Sequence, residues 1–232
     1  MGDELETRRT SVNCETLIFD WDGTLVNSLD MKIENAGELF NNFFGYSSEL
    51  VEKAYRQHSG VPRRILFDAI SNSVGNRDLT DLEYFEISCA FTELNLFNLN
   101  KTHLFRDTVS TLDYLNTCGL NLFVSSSATP EDVVASAEHL GIYDKFVNVF
   151  GSVNGFGKGQ EHISYILNKY DLNRENIVMV GDERADVMLA KMANVYSVAK
   201  RGSLEENELN ELNPDLIINS LSELSKLVKT ES

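Results

Sequence analysis

Short runs of apolar residues recur along the chain and alternate with longer stretches that have the spacing of amphipathic helices. The first run, TLIF, begins at Thr16 and ends at an acidic residue, Asp20. Comparable runs follow at residues 121–126, 146–150, 176–181, 195–199 and 215–219. Because their apolar residues are continuous rather than alternating, these runs predict strands that are buried on both faces of a sheet.

Segments with helical character separate the strands. The segment 107–118 ends at Gly119, and Thr129 followed by Pro130 is typical of a helix N-terminus. Further helices are predicted at residues 158–170, 184–194, 203–211 and 220–229. Alternation of strand and helix predicts an α/β fold, a Rossmann-like parallel sheet with helices on both faces.

Residues 29–103 break this alternation. Apolar residues there recur at helical spacing, for example Ile33, Leu39, Phe40 and Phe43. We predict an inserted all-helical cap of about four helices over 29–103, and a core formed by 14–28 and 104–230. An insertion directly after the first strand lies above the carboxyl edge of the sheet, where α/β proteins bind their ligands.

Composition excludes several kinds of partner. The 232 residues include 36 Asp and Glu against 20 Lys and Arg, a net charge of −16. Such a surface repels phosphate backbones and anionic lipids, so we expect neither a nucleic-acid nor a membrane partner. The cysteines Cys14, Cys89 and Cys118 are far apart. Widely spaced cysteines are typical of a reducing compartment, and a membrane span would need an apolar stretch of roughly 18 residues, which the sequence lacks. Together these two observations predict a cytoplasmic protein. The sequence gives no indication of the oligomeric state.

Two acidic motifs follow predicted strands. Asp20-Trp21-Asp22-Gly23 follows the first strand, and Gly181-Asp182-Glu183-Arg184-Ala185-Asp186 follows the strand at 176–181. Each motif taken alone is also compatible with acids that cap a turn or a helix. Both strand ends lie at one edge of a parallel sheet, so the carboxylates are expected to converge and to need a cation. Oxygen ligands without His or Cys favour Mg²⁺ over zinc.

Two weaker signals complete the set. Ser125 and Ser126 end the strand at 121–126, and Lys158 precedes a helix. Hydroxyl groups, backbone N–H groups and a lysine at this edge can hold phosphate oxygens. A serine-rich turn and a surface lysine in a glycine-rich loop are the alternatives.

The ordered set DWDGTL, Ser125, Lys158 and GDERAD resembles the haloacid dehalogenase-like (HAD) hydrolase superfamily. The helical insertion resembles the C1-type cap of its phosphatase branch, which includes proteins like phosphoglycolate phosphatase and β-phosphoglucomutase. The resemblance implies that Asp20 is a nucleophile that becomes an aspartyl-phosphate, and that Asp22 is the general acid and base.

The resemblance also implies the ligands. Asp20, the backbone carbonyl of Asp22, and Asp182 would bind Mg²⁺, and Asp186 would support the metal site or Lys158 from nearby. Ser125, Ser126 and Lys158 would hold the phosphoryl oxygens.

The segment His58–Arg64 resembles the substrate-specificity loop of C1 caps. Arg63 stands where the mutase branch has a substrate-contacting arginine, and its fork suits a second anionic group of the substrate. Alternatively, Arg63 and Arg64 open a helix on its solvated face. We expect His103, His139 and His162 to be ordinary surface or interface residues.

These observations predict a Mg²⁺-dependent phosphomonoesterase that acts on a small phosphorylated metabolite of the phosphoglycolate or sugar phosphate type. A phosphomutase, which returns the phosphoryl group to another hydroxyl of the sugar, is the alternative. A non-enzymatic phospho-acceptor module like a response-regulator receiver is disfavoured, because receivers are about half this length and lack such an insertion.

Overall fold

The core is a six-stranded parallel sheet. The computed structural model describes residues 12–228. The strands of the sheet are β1 (Thr16–Phe19), β4 (Asn121–Ser125), β5 (Asn148–Phe150), β6 (Ile177–Gly181), β7 (Tyr196–Lys200) and β8 (Leu216–Ile218), and their order is β5-β4-β1-β6-β7-β8. Each lies within two residues of a predicted apolar run.

Helices cover both faces of the sheet, as predicted for a Rossmann-like fold. They are α5 (Thr108–Thr117), α6 (Pro130–His139), α7 (Gln160–Tyr170), α8 (Arg184–Met192) and α9 (Glu206–Leu212). Side chains alternate between two apolar layers: Leu17 and Phe19 of β1 belong to one, and Ile18 belongs to the other. This burial of both faces explains why the strand sequences are continuously apolar.

The cap consists of four helices with a core of their own. They are α1 (Leu29–Phe44), α2 (Ser48–His58), α3 (Arg63–Gly75) and α4 (Asp81–Phe97). The Phe40 and Phe67 rings meet edge to face at 5.3 Å, and Phe67 meets Phe91 in the same way at 5.2 Å. The cap therefore has an aromatic core separate from the two layers on the sheet.

Two very short strands join the cap to the core. The strands β2 (Val26–Asn27) and β3 (His103–Leu104) pair antiparallel at the two points where the chain enters and leaves the cap. The sequence did not predict this pair, because two residues are too few to show an alternation of polar and apolar side chains.

One predicted helix has a different form. The segment predicted as a helix at 220–229 is a 3₁₀-helix, Leu221–Leu227, and residues 229 and 230 of the predicted core lie outside the described residues. Its buried side chains, Leu221 and Leu224, are three positions apart. That spacing places both on one face of a helix with three residues per turn. Within residues 12–228, no helix combines the length and the apolar character that crossing a membrane requires.

Candidate active site

The strand order brings the two acidic motifs together. The strand β1 lies between β4 and β6, and Phe19 is level with Val124 on one side and Val180 on the other. Asp20 therefore leaves β1 beside Ser125, the last residue of β4. On the other side, Asp182 follows the end of β6 at the same carboxyl edge of the sheet.

Three carboxylates form an acidic cluster at this edge. Asp20, Asp182 and Asp186 are buried, and one oxygen from each lies within 4.8 Å of the others. Gly23 makes the close approach possible: its φ is +82°, and a Cβ there would overlap the Asp182 carboxylate. The turn after Asp22 therefore requires glycine for both its conformation and its space.

Lys158 forms ion pairs with two members of this cluster. Its Nζ lies 2.7 Å from Asp20 Oδ1 and 2.7 Å from Asp186 Oδ1. Burial lowers the pKa of Lys158, but Asp186 and Asp20 outweigh that effect and hold the pKa well above its usual value. Lys158 is thus a fully charged ammonium that bridges the nucleophile candidate and the start of α8.

The carboxylates still carry excess negative charge. Burial raises the pKa of Asp20 to about 7 although Lys158 opposes the shift. Burial also raises the pKa values of Asp182 and Asp186. The hydroxyl groups of Thr24, at 2.7 Å, and Ser203 donate to Asp182 and favour its charged form. Buried, converging carboxylate oxygens in excess over cations fit a divalent metal ion with oxygen ligands.

The carboxylate of Asp22 does not join the cluster but faces the cap. It accepts hydrogen bonds from Ser28 Oγ at 2.5 Å and from Lys32 Nζ at 2.6 Å. Ser28 is the N-cap of α1, and Lys32 lies in the first turn of that helix. Residues at the start of the cap therefore orient the Asp22 side chain.

The three serines at the end of β4 have different surroundings. Ser125 is fully buried with its Oγ 2.8 Å from His162 Nδ1, and Ser126 Oγ accepts the N–H of Ala128 at 3.0 Å. Ser127 is the serine that lines the cavities beside Asp20 and Asp22. It was not singled out in the sequence, because the strand predicted at 121–126 ends at Ser126.

The prediction that His162 is a surface or interface residue is wrong. Its side chain is 0% exposed and lies 4.5 Å from the Phe156 ring and 5.5 Å from the Phe150 ring, centre to centre. It faces the sheet from the first turn of α7 together with Ile163. Burial lowers the pKa of His162 to about 4, so the imidazole is neutral at pH 7.

Arg63 connects the cap to the core. Its guanidinium forms an ion pair with the buried Asp132 of α6 and donates to Thr92 Oγ1 at 2.7 Å. Its neighbour Arg64 is half-buried and pairs with Asp68 and Asp81 on the cap itself. The two arginines that open α3 therefore differ: Arg63 faces the domain interface, and Arg64 faces the cap surface.

Three further residues of the site were missed in the sequence. Lys32, Tyr55 and Glu183 line a cavity of about 40 Å³ beside Asp20. Burial raises the pKa of Glu183 to about 8, and its carboxylate packs so closely against Gly60 of the cap that a Cβ there would overlap it. Glu183 belongs to the second acidic motif, and that position is the signal by which it could have been found. Lys32 and Tyr55 gave no signal beyond helical spacing.

A parallel sheet with buried carboxylates at its carboxyl edge, under an inserted helical cap, defines a capped Rossmann-like enzyme. The family model described as "Haloacid dehalogenase-like hydrolase" matches residues 17–200. The chain therefore belongs to the haloacid dehalogenase-like hydrolase family, and relatives named as phosphatases are similar to it.

Two relatives cover nearly the whole chain. A phosphoglycolate phosphatase of Vibrio parahaemolyticus is 26% identical over 232 residues, covering 94% of this chain and 98% of the relative. A pyrophosphatase PpaX of Oceanobacillus iheyensis is 24% identical, with the same coverage of 94% and 98%. Among solved structures, a predicted phosphoglycolate phosphatase from Haemophilus somnus has the same fold, with a TM-score of 0.81 at 22% identity over 94% of this chain and 99% of that chain.

Proposed function

We propose that this phosphatase is a Mg²⁺-dependent phosphomonoesterase that hydrolyses a small organic phosphate, of the phosphoglycolate or sugar phosphate type, through an aspartyl-phosphate on Asp20. One observation carries the proposal. The Asp20 carboxylate is buried in the acidic cluster with Lys158 Nζ at 2.7 Å, beside a cavity that Asp22 also lines. A nucleophile, an acid and base, and a cation for the phosphoryl oxygens thus meet in one place.

The chemistry divides into two steps. A carboxylate oxygen of Asp20 attacks phosphorus, and the bond from phosphorus to the leaving oxygen breaks while Asp22 gives that oxygen a proton. Asp22 then takes a proton from water, the water oxygen attacks phosphorus, and the bond to Asp20 breaks to release phosphate. Ser28 and Lys32 keep the Asp22 carboxylate oriented through both steps.

The remaining residues would bind the metal ion and the phosphoryl group of the substrate. Asp20, Asp182 and the backbone carbonyl of Asp22 would hold Mg²⁺, and Asp186 would hold Lys158 in place. When bound, the metal ion supplies positive charge that offsets the charge of the phosphoryl oxygens. Ser125 and Ser126 would donate hydrogen bonds from their hydroxyl groups to those oxygens, together with Lys158. Arg63 would contact the substrate from the cap.

The expected substrate class, partners and cellular compartment fit the same proposal. The relatives that are named phosphoglycolate phosphatase and pyrophosphatase support a small phosphorylated substrate. The net charge of −16 supports the absence of nucleic-acid and membrane partners. Its three cysteines, Cys14, Cys89 and Cys118, are unpaired, which supports a reducing compartment, the cytoplasm.

The test is phosphate release from a panel of phosphorylated metabolites, with Mg²⁺ and with EDTA. Asp20→Asn removes the attacking oxygen, so we expect turnover to fall by at least about a thousandfold. Asp144→Asn, at an exposed aspartate outside the site, is the matched control and should leave turnover unchanged. Metal-dependent release by Asp20→Asn at a rate near that of the wild type would contradict the proposal.

A further inference from the structure

A large cleft adjoins the candidate active site. It has a volume of about 560 Å³ and lies between Pro62, Arg64 and Tyr84 of the cap and the loop Ser152–Gly157 of the core. Two inner cavities that Asp22 and Ser127 line measure only about 40 Å³ each. The cleft is within the size range of sites for drug-sized ligands, whereas the inner cavities have room for little more than the reacting group.

The cleft shares lining residues with the inner cavities. Ser127 and Lys158 line both the cleft and the cavity beside Asp20, and Arg63 lines both the cleft and the second inner cavity. A phosphoryl group held by Lys158 next to Asp20 would therefore lie beside residues that also line the cleft. The rest of a phosphomonoester bound at Asp20 would extend toward the cleft.

The cations that line these spaces are already paired with carboxylates. Among the described residues, the lysines and arginines of the three cavities are four, and each has a carboxylate partner in contact. The pairs are Lys32 with Asp22, Arg63 with Asp132, Arg64 with Asp68 and Asp81, and Lys158 with Asp20 and Asp186.

Carboxylates also line the spaces themselves. Glu183 lines the inner cavity, and Glu161 lines the cleft. A second anionic group on the substrate would meet these carboxylates and would find each lining cation already engaged, which makes its desolvation costly. Hydroxyl groups fit better, because the lining of the cleft includes the uncharged polar residues Ser127, Asn154 and Tyr84.

We infer that the substrate is a phosphomonoester whose leaving group is an uncharged, hydroxylated molecule larger than glycolate, and that this group lies in the cleft. The inference rests on the proposed function and narrows it. It separates this chain from its relatives, because phosphoglycolate carries a carboxylate and pyrophosphate carries a second phosphate.

The test compares four phosphate esters that vary size and charge separately. 6-Phosphogluconate has a carboxylate that glucose 6-phosphate, a closed ring of similar size, lacks. Phosphoglycolate carries a carboxylate where hydroxyethyl phosphate has a CH₂OH group, so this second pair differs in charge at nearly constant size and shape. With Mg²⁺, we expect kcat/KM to be at least about tenfold higher for the uncharged member of each pair, and highest for glucose 6-phosphate. Equal or higher kcat/KM for the carboxylated members would overturn the inference.

Two variants examine the cleft itself. Val153 is exposed and lines the cleft, so Val153→Trp narrows it. We expect kcat/KM for glucose 6-phosphate to fall about tenfold while the value for hydroxyethyl phosphate stays within about twofold. A parallel loss for both esters, or no loss for either, would show that the leaving group does not occupy the cleft.

The second variant adds a free cation. Gly155 takes the left-handed position of the turn, at φ +78°, so Asn154→Lys introduces no backbone strain. It should raise the ratio of kcat/KM for 6-phosphogluconate over glucose 6-phosphate about threefold. Ser110→Lys, with the same charge on an exposed position of α5, should leave the ratio unchanged. An unchanged ratio in Asn154→Lys would contradict the inference that the leaving group lies in the cleft.

Failure of the inference is distinct from failure of the proposed function. Hydrolysis of p-nitrophenyl phosphate that is lost in Asp20→Asn reports the proposed chemistry whatever the natural leaving group. If that hydrolysis is present and the carboxylated esters are preferred, only the inference is wrong. If no ester is hydrolysed at all, both are wrong.

Discussion

The core side and the cap side of the site balance their charges in different ways. On the core side, Asp20, Asp182 and Asp186 are buried together, and Lys158 forms ion pairs with two of them. On the cap side, the two buried cations each have a carboxylate of their own: Lys32 pairs with Asp22, and Arg63 pairs with Asp132. The core side therefore has a surplus of negative charge, and the cap side is neutral.

The difference in charge balance suits the two sides of the site to different tasks. Buried carboxylates that lack a full set of partners are unstable by themselves, and their raised pKa values express that cost. Such a cluster gains most when a cation arrives, so it is suited to binding and chemistry. Neutral pairs across an interface gain nothing from a further ion. They are suited to holding the cap against the core in one orientation.

The Arg63–Asp132 pair tests the structural half of this comparison and has the largest expected effect. Both side chains are less than one-tenth exposed. Because Arg63→Met leaves the Asp132 carboxylate buried without its cation, we expect the free energy of unfolding to fall by about 3 kcal/mol or more. Urea denaturation at pH 7 measures the loss.

Two controls make this test specific. Arg56→Met breaks a pair with Asp30 on the same cap, but there both side chains are more than half exposed. That change should cost less than about 1 kcal/mol. The double variant Arg63→Met with Asp132→Leu removes both charges and should recover most of the stability. If Arg63→Met costs no more than Arg56→Met, the pair does not hold the interface.

The core side of the site could be predicted from the sequence, whereas the cap side could not. Asp20 and Asp182 each follow a continuous apolar run, and the rule that parallel strands end at one edge brings them together. Asp132, by contrast, stands in the first turn of a helix, where an acid is expected for the helix dipole alone. Its contact with Arg63 depends on how the cap packs on α6, and the pattern within either helix does not contain that information.

The same limit explains His162 and Lys32. Both lie in the first turn of a helix, where one side chain faces the protein and the next faces solvent. A single polar residue at such a position has no periodic signal that reveals its partner. The cap loop around Arg63 was recognised by resemblance, but the role of Arg63 toward substrate stays a prediction, since its guanidinium is held by Asp132.

Lys32 links the two sides of the site, because it belongs to the cap and contacts Asp22, the proposed acid and base. Lys32→Met removes the hydrogen bond of 2.6 Å that orients the Asp22 carboxylate. We expect kcat to fall about a hundredfold, with a smaller change in KM, because the interaction acts in proton transfer. Steady-state kinetics with Mg²⁺ measures both constants.

The control for Lys32 is Lys53→Met on α2, an exposed lysine of the same cap. It changes the net charge equally and should leave kcat unchanged. Lys32→Arg keeps a cation near Asp22 and should recover part of the activity. If Lys32→Met and Lys53→Met have equal kcat values, Asp22 does not need its partner from the cap.

His162 extends the comparison to a buried group whose neighbours are the Phe150 and Phe156 rings and the Ser125 hydroxyl. Burial lowers its pKa to about 4, from about 6.5 in the unfolded chain. Between these values the unfolded chain binds more protons than the folded protein. The stabilisation by neutral His162 is therefore complete above about pH 6.5 and is lost as the pH falls toward 4, which amounts to about 2 kcal/mol between pH 7 and pH 5.

His162→Asn tests this expectation, because Asn keeps a polar atom near Ser125 but does not titrate. Urea denaturation at pH 7 and at pH 5 gives the change in unfolding free energy for each protein, so that any constant cost of the substitution cancels. We expect the change to be about 2 kcal/mol smaller in His162→Asn than in the wild type. In His139→Asn, at an exposed histidine of α6, it should equal the wild-type value. An identical pH dependence in His162→Asn and the wild type would mean that His162 accepts a proton in the folded protein. A buried charge would then be tolerated here without the paired partners that the acidic cluster and the cap interface require.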